Sequence, residues 1–176
     1  YDKFVYRRMR EAMGGKFRMV ISGGGALNKS ICRFLLNVGI NVTEGYGLTE
    51  CSPVVSVNKL GAARPGSVGL PLTHLQVKIG EHSEVLVKGE SVFKGYRNMP
   101  DLNKDIFTED GFFKTGDQGY FDRDGYLYLT GRLKELLKTS TGKYVSPNPI
   151  ELELGRHILV EQALVIANDR KFASAL

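Results

Sequence analysis

Residues 17–43 read FRMVISGGGALNKSICRFLLNVGINVT, in which three glycines and a helical pattern lie between two short apolar runs. The two apolar runs, 17–22 and 40–43, are each predicted as a short strand. Asn28 is suited to cap the helix between them, and Gly39 is suited to end it. The apolar face of that helix is predicted to consist of Ile31, Phe34, Leu35 and Val38. This order of strand, glycines, helix and strand indicates an α/β layer with parallel strands.

The segments on either side of this layer have a different pattern. Residues 2–13 carry apolar side chains at helical spacing and are predicted as a helix. After residue 52, short strands follow one another closely and are joined by turn pairs such as Asp124-Gly125, which indicates an antiparallel β-barrel or sandwich. The predicted strands are 53–57, 74–79, 84–88, 112–114, 119–122 and 126–130.

The last part of the chain begins near Arg132. A helix is predicted to start at Asn148-Pro149, with Asn148 as its cap and Pro149 as its first residue, and a final strand covers 163–167. The predicted fold class is therefore α/β plus β, in three parts. They are the end of an α/β subdomain over 1–52, a small distorted antiparallel β-barrel over 53–131, and the incomplete beginning of an α+β C-terminal domain over 132–176.

The composition of the chain excludes several functional classes. No apolar run in the 176 residues approaches the ~20 that span a bilayer, so no transmembrane segment is predicted. The net charge of +5 comes from cations that are scattered apart from the run at 7–10, and it is compatible with an anionic ligand, a nucleic acid or simple solubility. We expect no nucleic-acid partner, because a nucleic-acid-binding β-barrel would need aromatic residues interleaved with a basic face. Two cysteines, Cys32 and Cys51, are too few for a zinc cluster or a disulfide framework, which fits a reducing compartment.

Two glycine-containing segments are candidates for binding a flat or anionic ligand. Residues 20–28 join a strand to a helix N-terminus, whose free amides and positive dipole end attract such ligands; a tight turn without a ligand is the alternative. In EGYGLTE, residues 44–50, the glycines beside Tyr46 leave room for a planar base against the ring. Thr49 offers a hydroxyl to a phosphate and Glu50 a carboxylate to Mg²⁺. The alternative for this segment is a turn with a buried tyrosine.

Two later segments contain charged candidates. Asp117, expected at the end of a strand, can accept hydrogen bonds from both hydroxyls of a ribose, and capping a turn is the alternative role. Arg132 offers a permanent multi-donor cation to ribose or phosphate oxygens, and a surface ion-pair cluster is the alternative.

Together these segments resemble the adenylate-forming superfamily of acyl-CoA synthetases, firefly luciferase and peptide-synthetase adenylation domains. The motifs that carry the resemblance are SGGGAL at 22–27, EGYGLTE at 44–50, VLVKGESVFKGYRN at 85–98, FFKTGD at 112–117 and GRLKELLKTSTGKYVSP at 131–147. Within the superfamily, KTSTGKYVSP and the closing VIANDRKF look most like long-chain fatty acid–CoA ligases. Such enzymes join a carboxylate to the α-phosphate of ATP, release pyrophosphate, and pass the acyl group to the thiol of CoA.

The resemblance implies a role for each matching residue. Thr49 would contact the phosphate and Glu50 the magnesium ion, while Asp117 and Arg132 would hold the ribose. Lys134 would be the hinge about which the small C-terminal domain swings. The adenine would be bordered by Gly24, Gly25, Ala26, Glu44, Gly45 and Tyr46. Gly47 is counted with the nucleotide-binding residues, and it would lie with Leu48 near the acyl chain.

The resemblance also implies ligands and a location. The ligands are ATP or AMP, Mg²⁺, CoA and a fatty acid, in the cytoplasm, with peripheral association at the inner membrane surface as an alternative. The family's Ser/Thr/Gly-rich pyrophosphate loop and its catalytic lysine are absent from the chain, so we expect an internal fragment that is inactive alone. The alternatives are a non-catalytic nucleotide-binding or interaction module derived from the family, an aryl-CoA ligase, or an amino-acid adenylation domain.

Overall fold

Two four-stranded sheets contain most of the strand residues in the computed structural model, which describes residues 2–176, with side chains from Phe4 onward. A π-helical turn, Asp2–Tyr6, comes first. The α-helices are α1 (Arg7–Ala12), α2 (Lys29–Asn37), α3 (Pro100–Asp105) and α4 (Pro147–Leu154). The strands up to residue 89 are β1 (Met19–Ser22), β2 (Asn41–Gly47), β3 (Val54–Val57), β4 (Leu70–Pro71), β5 (Leu75–Ile79) and β6 (Glu84–Gly89). The later strands are β7 (Phe113–Phe121), β8 (Leu127–Arg132), β9 (Leu137–Lys138), β10 (Tyr144–Val145), β11 (Val165–Ile166) and β12 (Ser174–Ala175).

The first sheet has the strand order β1-β2-β3-β4 and contains the predicted α/β layer. β1 and β2 are parallel, with Met19 opposite Asn41, and α2 connects them. The side chain of Asn28 accepts a hydrogen bond from the Ser30 amide at 2.8 Å, which confirms the predicted cap. β3 then pairs antiparallel with β2, and their register shifts between Tyr46 and Gly47. The predicted parallel pair and its connecting helix are therefore confirmed.

The second sheet has the order β5-β6-β7-β8 and forms a curled antiparallel half-barrel, which confirms the predicted fold class. Short connections join β5 to β6 and β7 to β8 within it, whereas the longer connection from β6 to β7 contains α3. The Gly80 amide donates to the Glu84 carbonyl at 2.8 Å between β5 and β6, and the Asp122 amide donates to the Tyr126 carbonyl at 3.0 Å between β7 and β8. Two small antiparallel pairs are formed by β9 with β10 and by β11 with β12.

The chain divides into two compact units that are not continuous in sequence. Unit 1 comprises Tyr1–Val77, Val87–Phe113 and Phe121–Tyr128, and unit 2 comprises Lys78–Leu86, Lys114–Tyr120 and Leu129–Leu176. The three parts that the sequence indicates, 1–52, 53–131 and 132–176, remain a prediction.

Each unit has its own buried side chains. In unit 1, four apolar residues around β2 and β3 are at most 1% exposed: Val38, Ile40, Val42 and Val55. Cys32 and Cys51 are also buried there, and both are free thiols. In unit 2 the buried apolar side chains include Val85, Val165 and Ala167. Full burial of one valine or isoleucine side chain contributes about 1.5–3 kcal/mol to the stability of the fold.

Several predicted boundaries in the sheets are wrong. The two predicted strands 112–114 and 119–122 are parts of one strand, β7, because Gly116 takes a left-handed φ of +74° within the strand and does not end it. The predicted strand 40–43 continues to Gly47 as β2, so most of EGYGLTE is strand and not turn. Pairing with strands on both sides of β2 outweighs the local glycine signal.

The helices also differ from their predictions. The predicted helix 2–13 consists of the π-helical turn and α1. α4 begins at Pro147 after Ser146, so Asn148 lies inside the helix and is not its cap; the first turn accommodates both prolines, which permits this earlier start. On α2 the buried residues include Cys32, whereas Ile31 and Phe34 are exposed, since cysteine is buried as readily as larger apolar residues. α3 was not predicted.

Candidate nucleotide-binding site

The glycine loop between β1 and α2 borders open space. Gly24 has a left-handed φ of +80°, a conformation that side chains rarely adopt. A Cβ built on Gly24 or Gly25 meets no described atom within 4 Å. The end of the loop is held by a hydrogen bond from the Leu27 amide to Oε1 of Glu44, at 3.0 Å. The loop therefore has a fixed end and an exposed glycine face.

The Glu44 carboxyl that holds this loop is itself buried, at 4% exposure. Burial raises the pKa of Glu44 above its ordinary value, and the Leu27 hydrogen bond offsets part of that rise. The second oxygen, Oε2, has no hydrogen-bond partner among the residues that the structure describes. An unpaired buried oxygen costs free energy, and a ligand that donates a hydrogen bond to it would recover that cost.

The residues after Glu44 continue along β2 and then turn sharply. Tyr46 is buried, at 8% exposure. The alternative interpretation of this segment, a turn with a buried tyrosine, therefore agrees with the structure in the burial of the ring. It disagrees in the backbone, which is strand at Tyr46 and not turn. A Cβ on Gly47 would lie 1.9 Å from the carbonyl oxygen of Pro53. That oxygen accepts the Leu48 amide at 2.7 Å. Gly47 is thus required by the close approach of two backbone segments.

The turn Thr49–Cys51 presents two polar side chains. Thr49 is exposed, and Glu50 is half-buried. The Tyr96 hydroxyl donates a hydrogen bond to Oε1 of Glu50 at 2.7 Å, and this bond raises the pKa of Tyr96 above its ordinary value. The neighbouring Cys51 is fully buried, and burial raises its pKa to about 12.

Glu50 is suited to a magnesium ion that is carried by phosphates. Within residues 2–176 there is no cluster of three or more His, Cys, Asp or Glu side chains that could hold a metal. Mg²⁺ usually keeps several waters and is bound through one or two carboxylates together with substrate phosphates. A single half-exposed carboxylate beside the Thr49 hydroxyl fits that mode of binding.

In unit 2, Asp117 and Arg132 form an ion pair. Nε of Arg132 donates to Oδ1 of Asp117 at 2.8 Å; the aspartate side chain is 6% exposed and that of the arginine 61%. Asp117 lies in the middle of β7, so its predicted position at a strand end is wrong. The Gly116 amide donates to Glu84 Oε1, and the Thr115 hydroxyl donates to the Val85 carbonyl. Hydrogen bonds to β6 therefore fix the part of β7 that carries Asp117.

Lys134 follows this pair in an exposed one-turn 3₁₀ helix, Leu133–Glu135. The residues on either side, Arg132 and Leu136, are both extended. A single short turn between extended residues, with no buried side chain, is a local structure in which backbone rotation disrupts little packing.

The predicted residues thus fall into two groups. Unit 1 contains Gly24, Gly25, Ala26, Glu44, Gly45, Tyr46, Gly47, Thr49 and Glu50, and unit 2 contains Asp117, Arg132 and Lys134. No role for Tyr96 is predicted from the sequence. It lies within the quoted motif at 85–98, and nothing in its local pattern points to Glu50.

Comparison with known proteins identifies the family. Residues 3–97, more than half of the chain, match the family described as AMP-binding enzyme. The chain belongs to this family. All 176 residues of the chain align at 40% identity with long-chain-fatty-acid–CoA ligase FadD15 of Mycobacterium bovis, covering 29% of that protein's length.

Solved structures agree with this assignment. An ATP-bound RpMatB-BxBclM chimera, B1, superposes with a TM-score of 0.82 at 33% identity, over 97% of this chain and 38% of the chimera. O-succinylbenzoate coenzyme A synthetase (MenE) of Bacillus subtilis, in complex with ATP and magnesium ion, superposes with a TM-score of 0.79 at 27% identity, over 96% and 39% of the two chains. Among the described residues, no helix has the length and apolar character needed to cross a bilayer.

Proposed function

We propose that this chain is part of a long-chain fatty acid–CoA ligase that activates a fatty acid with ATP and transfers the acyl group to CoA. The observation that carries the proposal is the 40% identity to a long-chain ligase along the whole chain. The proposed partners are therefore small molecules, namely a fatty acid, ATP and CoA, and the proposed location is the cytoplasm, where ATP and CoA are available.

In the first half-reaction, a carboxylate oxygen attacks the α-phosphorus, and the bond from that phosphorus to the bridging oxygen breaks to release pyrophosphate. In the second, the sulfur of CoA attacks the acyl carbon, the bond from that carbon to the AMP oxygen breaks, and AMP and the thiol proton are released. Chemistry of this kind depends mainly on positioning and on stabilising the developing negative charge. The side chains proposed here bind and orient the reactants and do not attack them.

The proposed adenine site is the glycine loop with the adjoining part of β2. The open face of the loop would admit a flat ring, and Oε2 of Glu44 has no hydrogen-bond partner among the described residues. The residues proposed to border the adenine are Gly24, Gly25, Ala26, Glu44, Gly45 and Tyr46. Gly47 would follow them toward the acyl chain.

The proposed phosphate site is the turn at Thr49 and Glu50. The exposed Thr49 hydroxyl would donate to a phosphate oxygen, and the carboxylate of Glu50 would hold Mg²⁺, which offsets charge on the pyrophosphate when bound. For the ribose, Asp117 would accept hydrogen bonds from the hydroxyls, and Arg132 would orient Asp117 through the ion pair. Lys134 would be the hinge between the two half-reactions.

The test is ATP–pyrophosphate exchange by the full-length protein with three groups of acids: long-chain fatty acids, aryl acids and amino acids. We expect exchange with fatty acids and its loss in Glu50→Gln. Exchange with aryl or amino acids but with no fatty acid would assign the chain to another branch of the family. A folded full-length protein that exchanges with none of the acids would favour the non-catalytic module.

A further inference from the structure

We propose that Tyr96 is a positioning residue that holds the Glu50 carboxylate in the orientation needed to bind magnesium. This inference rests on the proposed function, because it takes Glu50 as the metal ligand. Tyr96 is 46 residues away from Glu50 in sequence and is brought to it by the loop after β6.

Glu50 is held by that loop at two points. The Tyr96 hydroxyl donates to Oε1 of the carboxylate at 2.7 Å, and the Phe93 amide donates to the main-chain carbonyl of Glu50, also at 2.7 Å. The first bond fixes the side chain and the second fixes the backbone from which it extends. One carboxylate oxygen of Glu50, Oε1, is therefore hydrogen-bonded to Tyr96, and this bond fixes the direction in which the other oxygen, Oε2, points.

Tyr96 is in turn fixed by the residues around it. The Asn103 side chain accepts the Tyr96 amide at 2.7 Å and donates to the Tyr96 carbonyl at 2.8 Å. The rings of Tyr96 and Phe93 meet edge to face, with centroids 4.9 Å apart and planes at 74°. Gly95 adopts a φ of +129°, and a Cβ there would lie 2.8 Å from Asn103, so glycine is what lets Asn103 come this close.

This arrangement does more than satisfy a tyrosine hydroxyl. A carboxylate that ligates a metal is oriented by its hydrogen-bond partners, and loss of such a partner typically costs 10–100-fold in metal affinity or activity. Asn103 and Phe93 fix both the backbone and the ring of Tyr96, so the hydroxyl meets Glu50 at a fixed position before any ligand arrives. A purely structural tyrosine would contribute to stability and would leave the metal dependence of the enzyme unchanged.

The test uses Tyr96→Phe in the full-length protein. This change removes the hydroxyl and keeps the ring beside Phe93 and the main-chain bonds to Asn103. The matched control is Tyr126→Phe, which removes a hydroxyl whose bond to the Ala62 carbonyl is long, at 3.4 Å. We expect the Mg²⁺ concentration for half-maximal pyrophosphate exchange to rise about 10–100-fold in Tyr96→Phe and to stay unchanged in the control. The maximal exchange rate should recover at saturating Mg²⁺.

A second measurement does not depend on catalysis. Electron paramagnetic resonance reports Mn²⁺ bound to the protein in the presence of a non-hydrolysable ATP analogue, at a temperature where circular dichroism shows every variant to be folded. Mn²⁺ affinity should fall in Tyr96→Phe by a similar factor. Adding Tyr96→Phe to Glu50→Gln should cause no further loss, because the hydroxyl would act through the carboxylate.

The outcomes separate the two proposals. A wild-type protein without exchange for any acid overturns the proposed function, and this inference with it. Normal wild-type exchange, together with an unchanged Mg²⁺ requirement in Tyr96→Phe, overturns the positioning role alone. Additive losses of Mn²⁺ affinity in the double variant overturn it as well, since Tyr96 would then act independently of Glu50.

Discussion

Gly47→Ala should destabilise the chain strongly, although Gly47 lies at an exposed position. The added Cβ would lie 1.9 Å from the Pro53 carbonyl oxygen and 2.9 Å from the Cα of Val54, whereas ordinary contact begins at 3.4 Å. The atoms in the way are backbone, so no side chain can rotate aside. The two segments must separate, and the hydrogen bond from the Leu48 amide to Pro53 is the first to be lost.

The expected cost has two parts. Forcing an extra carbon into a packed position costs about 1–3 kcal/mol, and losing a backbone hydrogen bond costs about 1 kcal/mol more. The free energy of unfolding should therefore fall by about 2–4 kcal/mol, a large part of the 5–15 kcal/mol typical of a domain. The turn that carries Thr49 and Glu50 follows directly, so ATP-dependent activity of the full-length protein should be lost too.

Urea unfolding measures this difference, followed by circular dichroism and by tyrosine fluorescence, since the chain has eight tyrosines and no tryptophan. Gly25→Ala is the matched control, because a Cβ there meets no described atom within 4 Å. Its stability should stay within about 0.5 kcal/mol of wild type. Equal stabilities for Gly47→Ala and Gly25→Ala would refute the close approach of Gly47 and Pro53.

Three further changes test other parts of the site. Asp117→Ala should raise the KM for ATP in the full-length protein about 10- to 150-fold, which corresponds to the loss of a hydrogen bond to a charged group. The stability of the fold should change little, because the partner of Asp117, Arg132, is mostly exposed. An unchanged KM or a collapse of the melting temperature would contradict this. Because burial raises the folded-state pKa of Glu44, its contribution to stability is complete below the ordinary pKa of glutamate and is lost as pH rises through the raised value. The unfolding free energy of wild type, measured by urea titration between about pH 4 and 8, should therefore fall relative to Glu44→Gln, and parallel curves would disprove the raised pKa. Lys134→Pro fixes one backbone angle at the proposed hinge. Formation of the acyl-adenylate should therefore persist, while transfer of the acyl group from preformed adenylate to CoA should fall steeply when it is assayed separately. A proportional loss of both half-reactions would remove the reason to place a hinge there.

The α/β layer could be predicted because local and long-range signals agree in it. The β1 and β2 regions have apolar runs of strand length, and Asn28 marks the start of the helix between them. β7 could not be delimited from sequence, since Gly116 is a strong local turn signal and only pairing within the sheet keeps the strand continuous. α3 has six residues, too few for a clear helical period.

The site was predictable only in part, for a similar reason. Motifs identified the residues that would face the nucleotide, because each is part of a short contiguous pattern. The contacts that hold those residues join distant parts of the chain: Leu27 with Glu44, and Tyr96 with Glu50. No periodicity or local propensity encodes such pairs, so the partners became visible only once the chain was folded.

Because the thiols of Cys32 and Cys51 are both buried, their rates of alkylation can report on local unfolding of the chain. Alkylating reagents attack the thiolate, and with a pKa of about 12 only about one molecule in 10⁵ carries that form at Cys51 near neutral pH. Cys32 is also buried, and burial raises its pKa as well. The rate of alkylation in the folded chain therefore measures how often these buried sites become exposed. Cys51 directly follows Glu50, so protection of its thiol reports on the integrity of the turn that would bind phosphate.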